Sequence, residues 1–116
     1  MKNYLLTIFG SAEQEKAWES MTPEQMQEGL AKYMAFSQRL VDEGRMIAGE
    51  GLSPIGATIQ PFSLEVTEGP YILAQELVGG FFFFKAESIE EAIAIAKDCP
   101  ALQHGSKVEV REQMEY

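Results

Sequence analysis

Two spacings of apolar residues alternate along this chain, and each changeover marks an element. Tyr4 to Phe9 (Tyr-Leu-Leu-Thr-Ile-Phe) is rich in β-branched and aromatic residues and is closed by Gly10-Ser11, which predicts a strand. Tyr4, Leu6 and Ile8 point one way and Leu5 and Phe9 the other, so both faces of this strand need cover. Ser11 to Met21 is polar apart from Ala17, Trp18 and Met21, and it reads as a connection. A helix starts next, because Thr22 can cap it, Pro23 suits its first position and Gln25 completes a capping box. Met26, Leu30, Tyr33, Met34, Ser37, Leu40 and Val41 then follow at steps of three and four, a stripe wide enough to bury against a sheet, and Gly44 ends it.

Met46 to Gly51 predicts a short strand, and Leu52-Ser53-Pro54-Ile55-Gly56 a loop. Two extended pieces follow, Ala57 to Gln60 and Phe62 to Thr67, and Pro61 between them favours an edge hairpin or bulge over a central strand. Glu68-Gly69-Pro70 is a turn, with a short irregular or helical turn through Gln75-Glu76. Gly79-Gly80 opens Phe81 to Phe84, a strand buried on two sides. Ser88 and Glu91 form a second capping box. Ile89, Ala92, Ile93 and Ala96 line the helix behind it, Cys99-Pro100 stops that helix, and Val108 and Val110 alternate with charges in a last strand. The order βαββαβ, with an extended insertion, is that of a ferredoxin-like α+β sandwich with both helices on one face of an antiparallel sheet. The aromatic side chains on the other face would form a larger apolar patch than soluble monomers tolerate, which predicts a homodimer joined through the open sheet face.

Composition narrows the function. At 116 residues the chain makes one domain, and nine Lys plus Arg against eighteen Asp plus Glu leave a charge of -9 with no basic cluster. That balance argues against nucleic acid and anionic membranes as partners. The apolar run before Gly10 is too short for a secretory signal, and none approaches the roughly 18 to 20 residues of a membrane span, so a soluble cytoplasmic protein is expected. With one cysteine, Cys99, and one histidine, His104, neither an internal disulfide nor a Cys/His zinc site is expected, and no cofactor is implied.

Histidine is the side chain that exchanges protons near neutral pH, so acid or base chemistry would fall to His104, in a turn before the last strand; a solvated loop histidine is the competing reading. Glu68, at a turn stiffened by Gly69 and Pro70, could orient such a histidine or take its proton. Glu50 lies between two glycines that allow a ligand close approach, and Glu76 is placed similarly before Gly79-Gly80. Convergence of Glu50, Glu68, Glu76 and His104 would define a polar cleft. Cys99 and the phenylalanine run are read as packing, and Trp18 as an anchor to the core or a pocket rim.

Glu68-Gly69-Pro70-Tyr71, Gln75-Glu76, Gly79-Gly80-Phe81, Ser88-Ile89-Glu90-Glu91-Ala92 and Val108-Glu109-Val110-Arg111 resemble, in order and spacing, the YCII-related domain family and in particular its DGPF branch. Tyr4-Leu5-Leu6, Met21-Thr22-Pro23-Glu24 and Gly49-Glu50-Gly51-Leu52 extend the likeness over nearly the whole chain. Glu68 and Tyr71 stand where the branch has Asp and Phe, and Leu73 and Gln75 where it commonly has an acidic residue and a lysine. The resemblance implies a dimeric α+β barrel, a histidine at the position of His104, and a small-molecule cleft with hydrolase- or isomerase-like acid and base chemistry, in which Glu50, Tyr71 and Glu76 would bind ligand. A non-enzymatic ligand-binding or regulatory module acting through protein partners is the alternative.

Overall fold

The computed structural model describes residues 1–69 and 77–116, apart from the side chains of Ala12 and Glu15. The sequence-predicted turn through Gln75-Glu76, and with it Tyr71, lies outside the described residues. Strands β1 (Lys2–Gly10), β2 (Met46–Gly51), β5 (Leu77–Ala86) and β6 (Lys107–Glu112) form one antiparallel sheet in the order β2-β5-β1-β6. Helices α1 (Ala12–Glu19), α2 (Pro23–Asp42) and α3 (Ile89–Ala96) and a 3-10 turn (Pro100–His104) supply the connections. Between β2 and β5, strands β3 (Ala57–Ile59) and β4 (Val66–Glu68) pair, among the described residues, only with each other, as the expected inserted hairpin. This is the ferredoxin-like arrangement read from the sequence.

Alternation along the strands sorts the side chains. Tyr4, Leu6, Phe82, Phe84 and Ala86 turn toward the helices and are buried with Phe36, Leu40, Ala92 and Ile95. The Phe36 ring meets Phe82 edge-on at 5.1 Å. Leu5, Phe81 and Phe83 occupy the opposite face, where Leu5 is cross-strand from Phe83 and Thr7 from Phe81. Gly49 is opposite Phe82, and an added Cβ there would lie 2.7 Å from that ring, so only glycine lets β2 approach at this register.

Several expectations are corrected. Ser11 to Met21 is not merely a connection: it holds α1, whose N-terminus is closed by a complete capping box of Ser11 and Gln14. The stripe on α2 buries only part of its width. Phe36 and Leu40 are covered, whereas Leu30, Met34 and Val41 are more than half exposed, because the helix rests on the sheet along one side of that stripe. On α3 the buried positions are Ala92, Ile95 and Ala96, and Ile89 and Ile93 face outward. Glu91 accepts from the Glu87 N–H while its own N–H donates to Ser88 Oγ, so the second box is shifted by one residue at its acid end. In the hairpin, Phe62 and Leu64 adopt left-handed backbone (φ 66° and 59°) and belong to the tip rather than to a strand.

Ion pairs lock the helices to the start of β2. The Arg45 guanidinium donates to Glu43, to the Lys85 carbonyl and to Glu91, while Arg39 bonds Glu43 and Asp98. The bond from the Glu87 N–H, and then that from Arg45, hold Glu91 below the usual carboxylate range, and Arg39 and Arg45 do the same for Glu43.

Candidate functional site

His104 ends a five-residue 3-10 turn that begins at Pro100, whose fixed φ suits a first helical position. The turn is stopped by Gly105 in the left-handed conformation (φ 82°), a geometry open to glycine at little cost. The N–H of Ser106 donates to the Ala101 carbonyl at 3.1 Å and leads directly into β6. Beneath the turn, Cys99 and Ala101 are buried in the core, and burial pushes the Cys99 thiol up, which suits a packing role.

The turn borders a groove of about 490 Å³ whose other walls come from α1 and α2. Trp18 of α1, Glu28, Lys32 and Tyr33 of α2, and His104 line it. Gly29 faces the indole: a Cβ placed there would be 3.9 Å from the nearest Trp18 ring atom, an ordinary van der Waals contact. Tyr33 is half-buried, and burial pushes its hydroxyl up to about 12, so it presents a neutral phenol at physiological pH. Lys32 Nζ lies 3.5 Å from Gln103 Oε1, tying α2 to the same turn. The groove thus offers two aromatic surfaces, an ammonium, a carboxylate, a phenol and an imidazole.

Gln14 connects the pieces. Its Nε2 donates to the His104 carbonyl at 3.0 Å, and its Oε1 accepts from the Ser11 N–H at 2.8 Å. A second, shallower depression on the far side of Gln14 is bordered by Phe9, Ser11, Gly105 and Lys107, with the Lys107 ammonium 5.9 Å above the Phe9 ring.

Of the residues expected to converge, His104 lines this groove, and Glu50 and Glu68 do not. Glu50 is exposed on edge strand β2, cross-strand from Phe81 on the open face. Glu68 closes β4, exposed and paired with Ala57. His104 precedes β6, the opposite edge strand, and three strand spacings separate β2 from β6 by roughly 14 Å. Glu76 and Tyr71 fall outside the described residues. Sequence reasoning placed Tyr33 in the core stripe and gave Gln14, Glu28 and Lys32 no role. Trp18, expected chiefly as a core anchor, is 42% exposed and walls the groove. Among the described residues no group of three His, Cys, Asp or Glu could hold a metal ion, and no helix is long and apolar enough to cross a membrane.

A four-stranded antiparallel sheet in this order, with helices on one face and a groove at its β6 edge, defines an α+β sandwich of the ferredoxin-like class. Residues 4–114 match the YCII-related domain, and the chain belongs to that family. Among solved structures, the fold is similar to 5-chloro-2-hydroxyhydroquinone dehydrochlorinase (TftG) from Burkholderia phenoliruptrix AC1100 in complex with 2,5-dihydroxybenzoquinone. The TM-score is 0.58 at 14% identity, over 98% of this chain and 95% of that one. No curated protein matches.

Proposed function

We propose that this chain is a DGPF-branch member of its family that binds a small molecule in the His104 groove as a cytoplasmic homodimer. The observation that carries the reading is the meeting of Trp18, Tyr33 and His104 around one groove of about 490 Å³, within the range of small-molecule sites. Flat aromatic walls favour a planar ligand, while Lys32 and the Tyr33 phenol suit an oxygen-rich one. TftG was solved with a hydroxylated quinone, a ligand of that description. Loss of hydrogen chloride, the reaction in TftG's name, needs a proton acceptor, and His104 is the residue here that would fill such a role. The carboxylate beside it would be Glu28, which lines the same groove. Glu68, and with it the ligand contacts expected of Glu50, would join the site only from a second copy.

The dimer rests on exposed apolar surface. Exposed Leu5 shares the open sheet face with the partly buried Phe81 and Phe83, and the hairpin adds Ile55 at 92% and Phe62 at 101% exposure.

The test is titration with 2,5-dihydroxybenzoquinone and a panel of hydroxylated aromatic acids, followed by the NMR resonances of His104, the sole histidine, and of the groove amides. Saturable shifts confined to residues lining the groove, weakened in a His104→Ala variant, are expected. Shifts elsewhere, or none across the panel, would sink the proposal. The exposure of His104 favours a second reading, a binding module without turnover, and loss of substrate over time in the same tubes separates the two.

A further inference from the structure

We propose that Gln14 is the positioning residue of this groove, a latch that holds α1 as a lid over it and fixes the turn carrying His104. The inference rests on the reading of the groove as a ligand site, and it adds how that site opens. Among the α1 side chains described, Gln14 is the one that is not exposed; Glu13, Lys16, Ala17, Trp18 and Glu19 all face solvent. A helix that covers so little apolar surface takes little stability from packing. Among the described α1 side chains, Gln14 hydrogen-bonds to the far end of the chain: its Oε1 closes the helix's own cap, and its Nε2 reaches the carbonyl of His104, ninety residues away. Trp18, one turn further along α1, is the wall of the groove that this bond holds in place. Releasing it loosens α1, with Trp18, and one of the ties on the His104 turn together, so this bond couples ligand entry to the orientation of His104.

The two ends of the Gln14 amide can be separated by Gln14→Glu. A glutamate keeps the acceptor for the Ser11 N–H, completing an ordinary Ser-x-x-Glu capping box, and it places a negative charge favourably in the first turn of α1. It cannot donate to the His104 carbonyl. A purely structural cap therefore predicts no change, whereas a latch predicts loss. In the unliganded protein, amide exchange of Gly105 and Ser106 is expected to rise several-fold in Gln14→Glu, and acrylamide quenching of Trp18, the sole tryptophan and 42% exposed when latched, to rise toward that of a free indole, while far-UV circular dichroism stays constant. Affinity for the probe that binds the wild type should fall about threefold to tenfold, the range of one hydrogen bond. Gln14→Ala, which loses both ends, should show the same quenching together with reduced helicity. Unchanged quenching and exchange in Gln14→Glu would overturn the latch, whatever the wild type binds. Raised quenching in a protein that binds none of the panel would uphold the latch and refute the proposed function instead.

Discussion

Adding one methyl group to β2 at two glycines, two residues apart, should move stability in opposite directions. In Gly49→Ala the new Cβ would sit 2.7 Å from Cδ1 and 3.1 Å from Cε1 of Phe82, and 3.4 Å from the Phe81 carbonyl oxygen. Phe82 cannot swing aside, because it is buried and its ring is held edge-on against Phe36 at 5.1 Å. Overpacking of this kind costs about 1–3 kcal/mol, against which the reduced freedom of the unfolded chain returns about 0.4–1 kcal/mol, leaving a net loss of about 1–2 kcal/mol. At Gly51 nothing lies within 4 Å of the added atom, so only the unfolded-state effect remains and the variant should gain about 0.4–1 kcal/mol. An unfolding entropy of about 2.1 cal/mol/K per residue over 116 residues converts 1 kcal/mol to about 4 °C in Tm. Gly49→Ala should therefore melt about 4–8 °C lower and Gly51→Ala about 2–4 °C higher. Thermal and urea unfolding followed by far-UV circular dichroism, at one fixed protomer concentration, measures both. A Gly49→Ala variant within about 0.5 kcal/mol of wild type would refute the close β2–β5 packing.

Tyr33 supplies an alkaline signature. Its hydroxyl titrates near 10 when unfolded and near about 12 when folded, so the folded state holds its proton longer. Stability from this group is complete below pH 10 and lost as pH rises toward 12; Tyr33→Phe should flatten the fall in urea midpoint across that window, and an unaltered slope would contradict the half-buried phenol. Glu43 and Glu91 act with the opposite sign, since Arg39 and Arg45 depress Glu43, and the Glu87 N–H and Arg45 depress Glu91. Their contribution is present above the unfolded value of 4.5 and lost as pH falls through the lower folded values, so Glu91→Gln should be destabilising at pH 7 and progressively less so as pH falls below 4.5, read from urea midpoints. Finally, Gly105→Ala forces a side chain into left-handed backbone and should cost about 1–2 kcal/mol, with Gly105→Asn milder; equal stability of all three would disprove the turn geometry.

The strand and helix order was legible because most elements carry their own local signal. Thr22-Pro23 with Gln25, the aromatic β5 and the alternating β6 needed no tertiary information. Helix α1 escaped although Ser11 and Gln14 repeat the capping pattern read at Thr22 and Gln25, because a lid that covers little has no apolar stripe to betray it. On α2, periodicity gave the direction of the stripe but not which part of it the sheet would cover, so Phe36 was overlooked and Met34 overvalued. The groove was legible only at His104. Its remaining walls come from residues 14 to 33, brought to the end of the chain by β1 pairing with β6, and no local pattern encodes that meeting. Glu50 and Glu68 attracted attention through their glycine and proline neighbours, which report backbone geometry rather than shared space.

The inserted hairpin leaves and rejoins the fold at neighbouring strands: the Leu52 N–H donates to the Gly79 carbonyl at 2.9 Å, and the sheet beyond is continuous. Its base is thus clamped by pairing that exists whatever the tip contains. The entropy of closing such a segment grows only slowly with its length. Mutation can therefore lengthen, shorten or rewrite residues 53–68 with little penalty to the core, while the His104 groove at the other edge keeps its architecture. The fold thus separates a segment whose length can vary from an edge whose geometry is fixed by the sheet.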